Sequence, residues 1–322
     1  MSRLHVDHKE IAVFAENKVN LPKVKADEYR AQVRGLREKL ENYLAEHPDF
    51  SLKKIILSGS LAKGTALRSL NDIDVAVYIS GSDTPSDVSD LIDYLVDRLR
   101  TAYPNFSHDQ VKPQTYSVTV SFKGSGLDVD VVPILYAGDP DWRGNLVSQH
   151  DGSFLETSIP LHLEFIRNRK KSQEKHFAQV IRLVKYWAAK LKLEQDGFRF
   201  KSFMIEMILS HLIDNGTDFS DYIEALQDFF TYIAKSNMRE LIYFTDYYEA
   251  SSVGNIDEII KIIDPVNPEN NVGIHYTAAQ ANAIVNAALD AGDAIDSALS
   301  APTKGETIRY WQKVFGPSFQ VG

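Results

Sequence analysis

The sequence predicts an α+β protein in which a sheet-bearing N-terminal half precedes a helical C-terminal half. Between residues 50 and 136, short apolar segments alternate with turns rich in small residues, which is typical of strands. After about residue 155, apolar residues repeat at helical spacing. A length of 322 residues suits about two domains. We therefore expect domains at residues 1–155 and 156–322.

Each element follows from a local pattern. Residues 26–46 carry apolar side chains at helical spacing, and His47-Pro48 ends this long N-terminal helix, which we expect to join the two domains. The predicted strands are residues 53–58, 73–79, 114–123 and 127–135. Further predicted helices are residues 90–103, 161–170, 175–192, 202–215, 220–234, 256–263 and 277–300, the last beginning with the capping box of Thr277 and Gln280.

The composition excludes several classes of protein. With 44% hydrophobic and 25% charged residues, the chain is neither fibrous nor disordered as a whole. It has no cysteine, which excludes disulfides, thiolate zinc sites and cysteine nucleophiles. No apolar run approaches the ~20 residues that span a bilayer, and the N-terminus lacks the apolar region of a secretory signal. We expect a cytoplasmic protein without membrane contact.

Charge is unevenly distributed along the chain. The formal net charge is −9, yet residues 167–201 contain 11 basic and three acidic side chains. A basic region of this kind indicates either a phosphate or polyanion site or a solvated helix face. Contact with double-stranded DNA through residues 167–201 is therefore possible.

The most informative stretch combines a phosphate-binding turn with carboxylates. Gly59-Ser60 follows a predicted strand, and free backbone N–H groups together with the Ser60 hydroxyl can take a phosphate there. On the next strand, Asp72 and Asp74 are two residues apart, so both face the same side, about 6.6–6.8 Å apart at Cα. A neighbouring strand adds Asp128 and Asp130, which share one face, so periodicity does not choose between them. Three carboxylates beside a phosphate site predict magnesium-dependent phosphoryl transfer.

In this order and spacing, the motifs resemble the signature of polymerase-β-like nucleotidyltransferases. Lys185-Tyr186-Trp187, the Lys201–Glu206 segment and the Asp264–Val272 block are similar to helical-lobe motifs of oligoadenylate synthetase and of the cGAS/DncV-like nucleotidyltransferases (CD-NTases). The whole chain resembles the clade C type of bacterial anti-phage (CBASS) synthases. The resemblance favours Asp130 over Asp128 as the third metal carboxylate.

The resemblance also implies roles for individual residues. Gly59 and Ser60 would hold the donor triphosphate. Asp72 and Asp74 would bind two Mg²⁺ ions, for which Mn²⁺ could substitute, and Asp130 would hold the ion that activates the acceptor hydroxyl. In the helical half, Lys185 and Ser202 would bind the β- and γ-phosphates, and Phe203 would stack on a base. Trp187 is expected in the core.

We expect the protein to make a cyclic oligonucleotide second messenger from NTPs, with cyclic tri-AMP from ATP implied by the resemblance alone. The same resemblance implies a HORMA-domain activator protein. One alternative is a linear, template-independent nucleotidyltransferase that makes 2′–5′ oligoadenylate, tails RNA or modifies protein. Another is a nucleotide-sensing module without turnover, which the intact carboxylate set disfavours.

Overall fold

The computed structural model describes residues 5–46, 52–70, 72–80, 88–147 and 154–321. Its packing divides the chain into two compact units. Leu21–Glu164 form the sheet unit, whereas Met1–Asn20 and Phe165–Gly322 together form the helical unit. This grouping differs from a single cut between residues 155 and 156, because the first twenty residues belong with the C-terminal unit. The predicted cut at that position stays a prediction.

The regular elements are as follows. The helices are α1 (His8–Phe14), α2 (Lys23–Glu46), α3 (Gly59–Lys63), α4 (Val88–Ala102), α5 (Ile159–Glu194), α6 (Ser202–Asp214), α7 (Tyr222–Ser236), α8 (Ala278–Ser300) and α9 (Lys304–Phe315). The strands are β1 (Leu52–Leu57), β2 (Asp72–Ile79), β3 (Val111–Pro113), β4 (Val118–Phe122), β5 (Leu127–Tyr136), β6 (Gly144–Val147), β7 (Phe154–Thr157), β8 (Leu241–Ile242) and β9 (Lys261–Ile262). A π-helical turn, Ala15–Val19, continues α1. No helix among the described residues is both long and apolar enough to cross a bilayer.

The sheet unit is built on a seven-stranded mixed sheet with the order β1-β2-β5-β4-β3. Strand β6 pairs with the end of β5, and β7 pairs with β6. Only one of these pairings, β2 with β5, is parallel. Alternate side chains of β2 and β5, among them Val75 and Val131, enter a core shared with α2 and α4. Ala76 and Tyr78 point to the other face of the sheet.

The helical unit includes the N-terminal segment. Asp7 and Glu10 form a capping box at the start of α1. The Phe14 ring lies 5.2 Å from that of Phe315 and 4.9 Å from that of Phe319, between ring centroids. Helix α5 is broken at Gln173 and Glu174, where Glu174 has φ 40°.

Most predicted elements are confirmed, although only Val118–Phe122 of the strand predicted over residues 114–123 is a strand, and one predicted helix is absent. The helix predicted over residues 256–263 is wrong, because that segment ends in β9, which pairs in parallel with β8. The Ile262 N–H donates to Asn271 Oδ1 at 3.1 Å, and the Asn271 amide donates to the Ile260 carbonyl at 2.8 Å. These contacts with Asn271 outweigh a local apolar pattern that fits either helix or strand. The helix stop predicted at His47-Pro48 lies outside the described residues.

Candidate active site

The turn after β1 is held against the neighbouring strand by a glycine. The Ser58 N–H donates to the Asp74 carbonyl at 2.8 Å. Gly59 has φ +63°, and a Cβ at this position would lie 1.8 Å from Asp74 Oδ2. The backbone can approach the carboxylate this closely only because residue 59 has no side chain. Ser60 is the second residue of α3, the short helix that starts here.

The carboxylates lie opposite one another on the parallel pair. The register places Asp72 beside Asp128 and Asp74 beside Asp130. Paired residues of parallel strands project to the same face, and the strands are about 4.8 Å apart. Asp72 and Asp128 are exposed, whereas Asp74 and Asp130 are half-buried.

Asp130 lies in a partly buried and negatively charged environment. Partial burial raises the pKa of the Asp130 carboxyl, and the negative charges of Asp72 and Asp128 raise it further. A hydrogen bond from Thr119 opposes this shift, since the Thr119 hydroxyl donates to Asp130 Oδ1 at 2.5 Å. The carboxylates of Asp72, Asp128 and Asp130 are therefore close enough for their charges to interact.

The donor chemistry of this cluster fits a divalent cation. Carboxylate oxygens are the ligands that Mg²⁺ prefers. A cation would offset the repulsion from Asp72 and Asp128, which adds to the effect of burial in raising the pKa of Asp130. Within the described ranges, no three Asp, Glu or His side chains form a ready-made metal cluster. The fit of this cluster to a cation therefore rests on its carboxylate chemistry and on the register that pairs Asp74 with Asp130.

The remaining predicted site residues belong to the helical unit. Lys185 is buried, and its Nζ lies 3.5 Å from Glu206 Oε1, a side chain that is also buried. Ser202 is the exposed first residue of α6, and Phe203 beside it is half-buried. Trp187 is 1% exposed, which confirms it as a core residue. The roles of Lys185, Ser202 and Phe203 as ligands stay predictions.

The basic region at residues 167–201 contains internal counter-charges. The Arg169 guanidinium is buried and contacts Asp214 at 2.5 Å and Asp246 at 3.0 Å. Lys190 pairs with Glu194 at 3.0 Å. Carboxylates of the helical unit thus neutralise part of the positive charge in this region.

Two residues that contact predicted site residues were not found from the sequence, Thr119 and Glu206. The strand pattern offered a weak signal for Thr119, because it is the polar residue between buried Val118 and Val120. Its register opposite Asp130 is a tertiary property. Glu206 lies among buried apolar residues of α6, and its pairing with buried Lys185 is a tertiary contact.

A glycine-serine turn packed against Asp74, with carboxylates paired on parallel strands of a mixed sheet, is the arrangement expected of a nucleotidyltransferase. Residues 7–169 match the family model for the Second Messenger Oligonucleotide or Dinucleotide Synthetase (SMODS) domain. The chain belongs to this family of synthetases, which confirms the predicted CD-NTase class.

Relatives cover almost the whole chain. A cyclic AMP-AMP-AMP synthase of Escherichia coli strain MS 115-1 is 68% identical over 320 residues, which are 99% of this chain and 100% of the relative. A CBASS oligonucleotide cyclase, CdnC of Escherichia coli strain KTE188, is 33% identical over 318 residues, 97% of each chain.

Solved structures agree with this assignment. The E. coli MS115-1 CdnC structure with ATP has a TM-score of 0.93 at 68% identity and covers 98% of this chain and 100% of that one. The complex of the same enzyme with HORMA-deltaN has a TM-score of 0.93 at 67% identity, covering 98% and 99%. The predicted α+β fold, a polymerase-β-like sheet domain with a helical domain, is confirmed.

Proposed function

We propose that the protein joins ATP molecules into cyclic AMP-AMP-AMP, a second messenger in anti-phage defence. The observation that carries the proposal is the placement of Asp74 beside Asp130, with the Gly59 backbone packed against Asp74. The 68% identical synthase supports the choice of product.

In the proposed reaction, a ribose hydroxyl of one nucleotide attacks the α-phosphorus of a second ATP. The hydroxyl gives up its proton to solvent, a new P–O bond forms, the bond from the α-phosphorus to the bridging oxygen of the β-phosphate breaks, and pyrophosphate leaves. Gly59 and Ser60 hold the donor triphosphate through backbone N–H groups and a hydroxyl. The linear product is then extended and closed on itself by the same step.

Asp72, Asp74 and Asp130 are the proposed metal ligands, for two Mg²⁺ ions. Bound magnesium supplies charge neutralisation on the phosphates and a more acidic acceptor hydroxyl. Asp130 would hold the ion next to the acceptor hydroxyl. Lys185 and Ser202 as β/γ-phosphate ligands, and Phe203 as a base-stacking residue, remain proposals that the resemblance supports.

The test is mass spectrometry of the products from all four NTPs with magnesium. We expect a phosphatase-resistant cyclic trimer of AMP from the wild type and from Asp93→Asn, an exposed carboxylate on α4 that serves as a control. Asp72→Asn/Asp74→Asn should yield no product. A linear, phosphatase-sensitive product or a labelled macromolecule would instead indicate the alternative, a linear transferase.

Activation through a HORMA-domain partner is part of the proposal, because the similar CdnC has been solved in a HORMA-deltaN complex. The reaction is proposed to take place in the cytoplasm. Adding a HORMA protein should raise product formation and give a co-purifying complex; no complex and no stimulation would contradict this part. DNA contact through residues 167–201 stays a prediction, and a DNA-dependent change in turnover would test it.

A further inference from the structure

The strand next to β5 provides a hydroxyl that contacts one predicted metal carboxylate. We propose that Thr119 is a positioning residue that orients Asp130, rather than Asp128, as the third metal ligand. This inference rests on the proposed function and adds a residue that the resemblance does not include.

The geometry of β4 and β5 directs this contact. These strands are antiparallel, and the register places Thr119 directly opposite Asp130. Directly opposed side chains project to the same face of the sheet. Val118 and Val120 are fully buried in the core on the other face, so the Thr119 hydroxyl is held on the carboxylate side. Its Oγ1 lies 2.5 Å from Asp130 Oδ1.

A hydroxyl–carboxylate hydrogen bond of this length is charge-assisted and therefore strong. It fixes the plane of the carboxylate and takes one lone pair of Oδ1, which limits the directions in which Asp130 can bind an ion. Partners that hydrogen-bond a metal ligand in this way typically contribute 10- to 100-fold to metal affinity or activity.

The hydrogen bond from Thr119 distinguishes Asp130 from Asp128, the other carboxylate on this face of β5. Asp128, two residues earlier on the same face, is exposed, whereas Asp130 is half-buried and held by Thr119. An exposed carboxylate must lose more side-chain freedom to take up a fixed ligand position. The geometry therefore assigns the ligand position to Asp130 and leaves Asp128 as a neighbouring charge.

The test measures ion binding separately from turnover. Free Mn²⁺ is followed by electron paramagnetic resonance during titration of the full chain, and product is measured at saturating Mn²⁺ with ATP. For Thr119→Val, which removes the hydroxyl but keeps the shape, we expect half-saturation at about tenfold higher Mn²⁺ or more. Thr119→Ser should restore binding to within a few-fold of wild type.

Three further variants, Thr101→Val, Asp128→Asn and Asp130→Asn, complete the experiment. Thr101→Val removes a hydroxyl that bonds its own helix at Asp97, so it should bind Mn²⁺ like the wild type. Asp128→Asn should weaken Mn²⁺ binding far less than Asp130→Asn. Wild-type binding by Thr119→Val, a Thr119→Ser variant as weak as Thr119→Val, or equal losses from the two Asp variants would each overturn the assignment.

The two proposals fail in different ways. If the wild type binds Mn²⁺ with the expected pattern but yields no cyclic product even with a HORMA protein added, the proposed function is wrong and Thr119 still positions a metal ligand. If the wild type makes the cyclic product and Thr119→Val matches it in both measurements, the positioning role is wrong.

Discussion

Gly59 shows how a single residue without a side chain can shape the site. The chain turns there at φ +63° while its backbone rests against the Asp74 carboxylate. Both conditions exclude other residues, one through backbone strain and the other through contact. Gly126, in the turn before β5, has a similar φ of +66°, but a Cβ added there would meet nothing within 4 Å, so it shares only the first condition.

This difference yields a prediction for Gly59→Ala. A Cβ at 1.8 Å from Asp74 Oδ2 must displace the carboxylate. Since a 1 Å misplacement can cost about 10²-fold in rate, we expect product formation to fall at least that far. Gly126→Ala carries the backbone strain without the clash and should keep most of the activity. Equal effects from the two variants would contradict the contact argument.

At the scale of elements, α5 and α6 share a buried ion pair. Lys185 on α5 and Glu206 on α6 are 6% and 3% exposed at their side chains. Removing one member of such a pair leaves the other charge buried without this partner. That loss destabilises the fold more than replacing both charges with apolar side chains does.

We therefore predict that Lys185→Met or Glu206→Leu alone destabilises the fold by about 3–5 kcal/mol. The double variant replaces both charges with apolar groups and should recover most of that loss. Urea denaturation of the four proteins measures the free energies of unfolding. Additive losses in the double variant would show that the two charges do not depend on each other.

The elements differ in how well the sequence foretells them. Helix α8 begins at the predicted capping box because Thr277 and Gln280 form it locally. The two predicted helices around residues 173–174 lie within α5, on either side of its break. By contrast, β9 depends on pairing with β8 and on Asn271, partners that a local window does not contain.

The residues of the site also differ in whether the sequence predicts them. The sequence predicts the carboxylates, because residues two apart on β2 or on β5 face the same side of a strand. It also predicts the glycine-serine turn, which directly follows a strand in the sequence. It does not predict that Thr119 meets Asp130, since register between strands is set by packing of the whole sheet. Nor does it show that Lys185 is buried beside Glu206.

At the scale of the whole molecule, residues 5–20 belong to the same unit as residues 165–321. Phe14, 2% exposed, packs among Tyr186, Phe315 and Phe319, so residues near both termini complete one aromatic core. The adjacent Val13 is 60% exposed.

Phe14→Ala should therefore destabilise the protein by about 3–5 kcal/mol, through lost burial and the cavity left behind. Val13→Ala, one position away on the exposed side, should change the free energy of unfolding by about 0.5 kcal/mol or less. Chemical denaturation followed by tryptophan fluorescence measures both. Equal effects would mean that α1 does not dock as described.

The parallel pairing of β2 with β5 also has a kinetic consequence. The segment between Asp74 and Asp130 contains α4, β3 and β4, so these paired residues are far apart in the sequence. Such non-local pairing carries a large loop-closure entropy and forms slowly relative to helices. During refolding, catalytic competence should consequently return later than the helical circular dichroism signal, and a ribosome-bound chain would lack the proposed metal site until β5 has emerged.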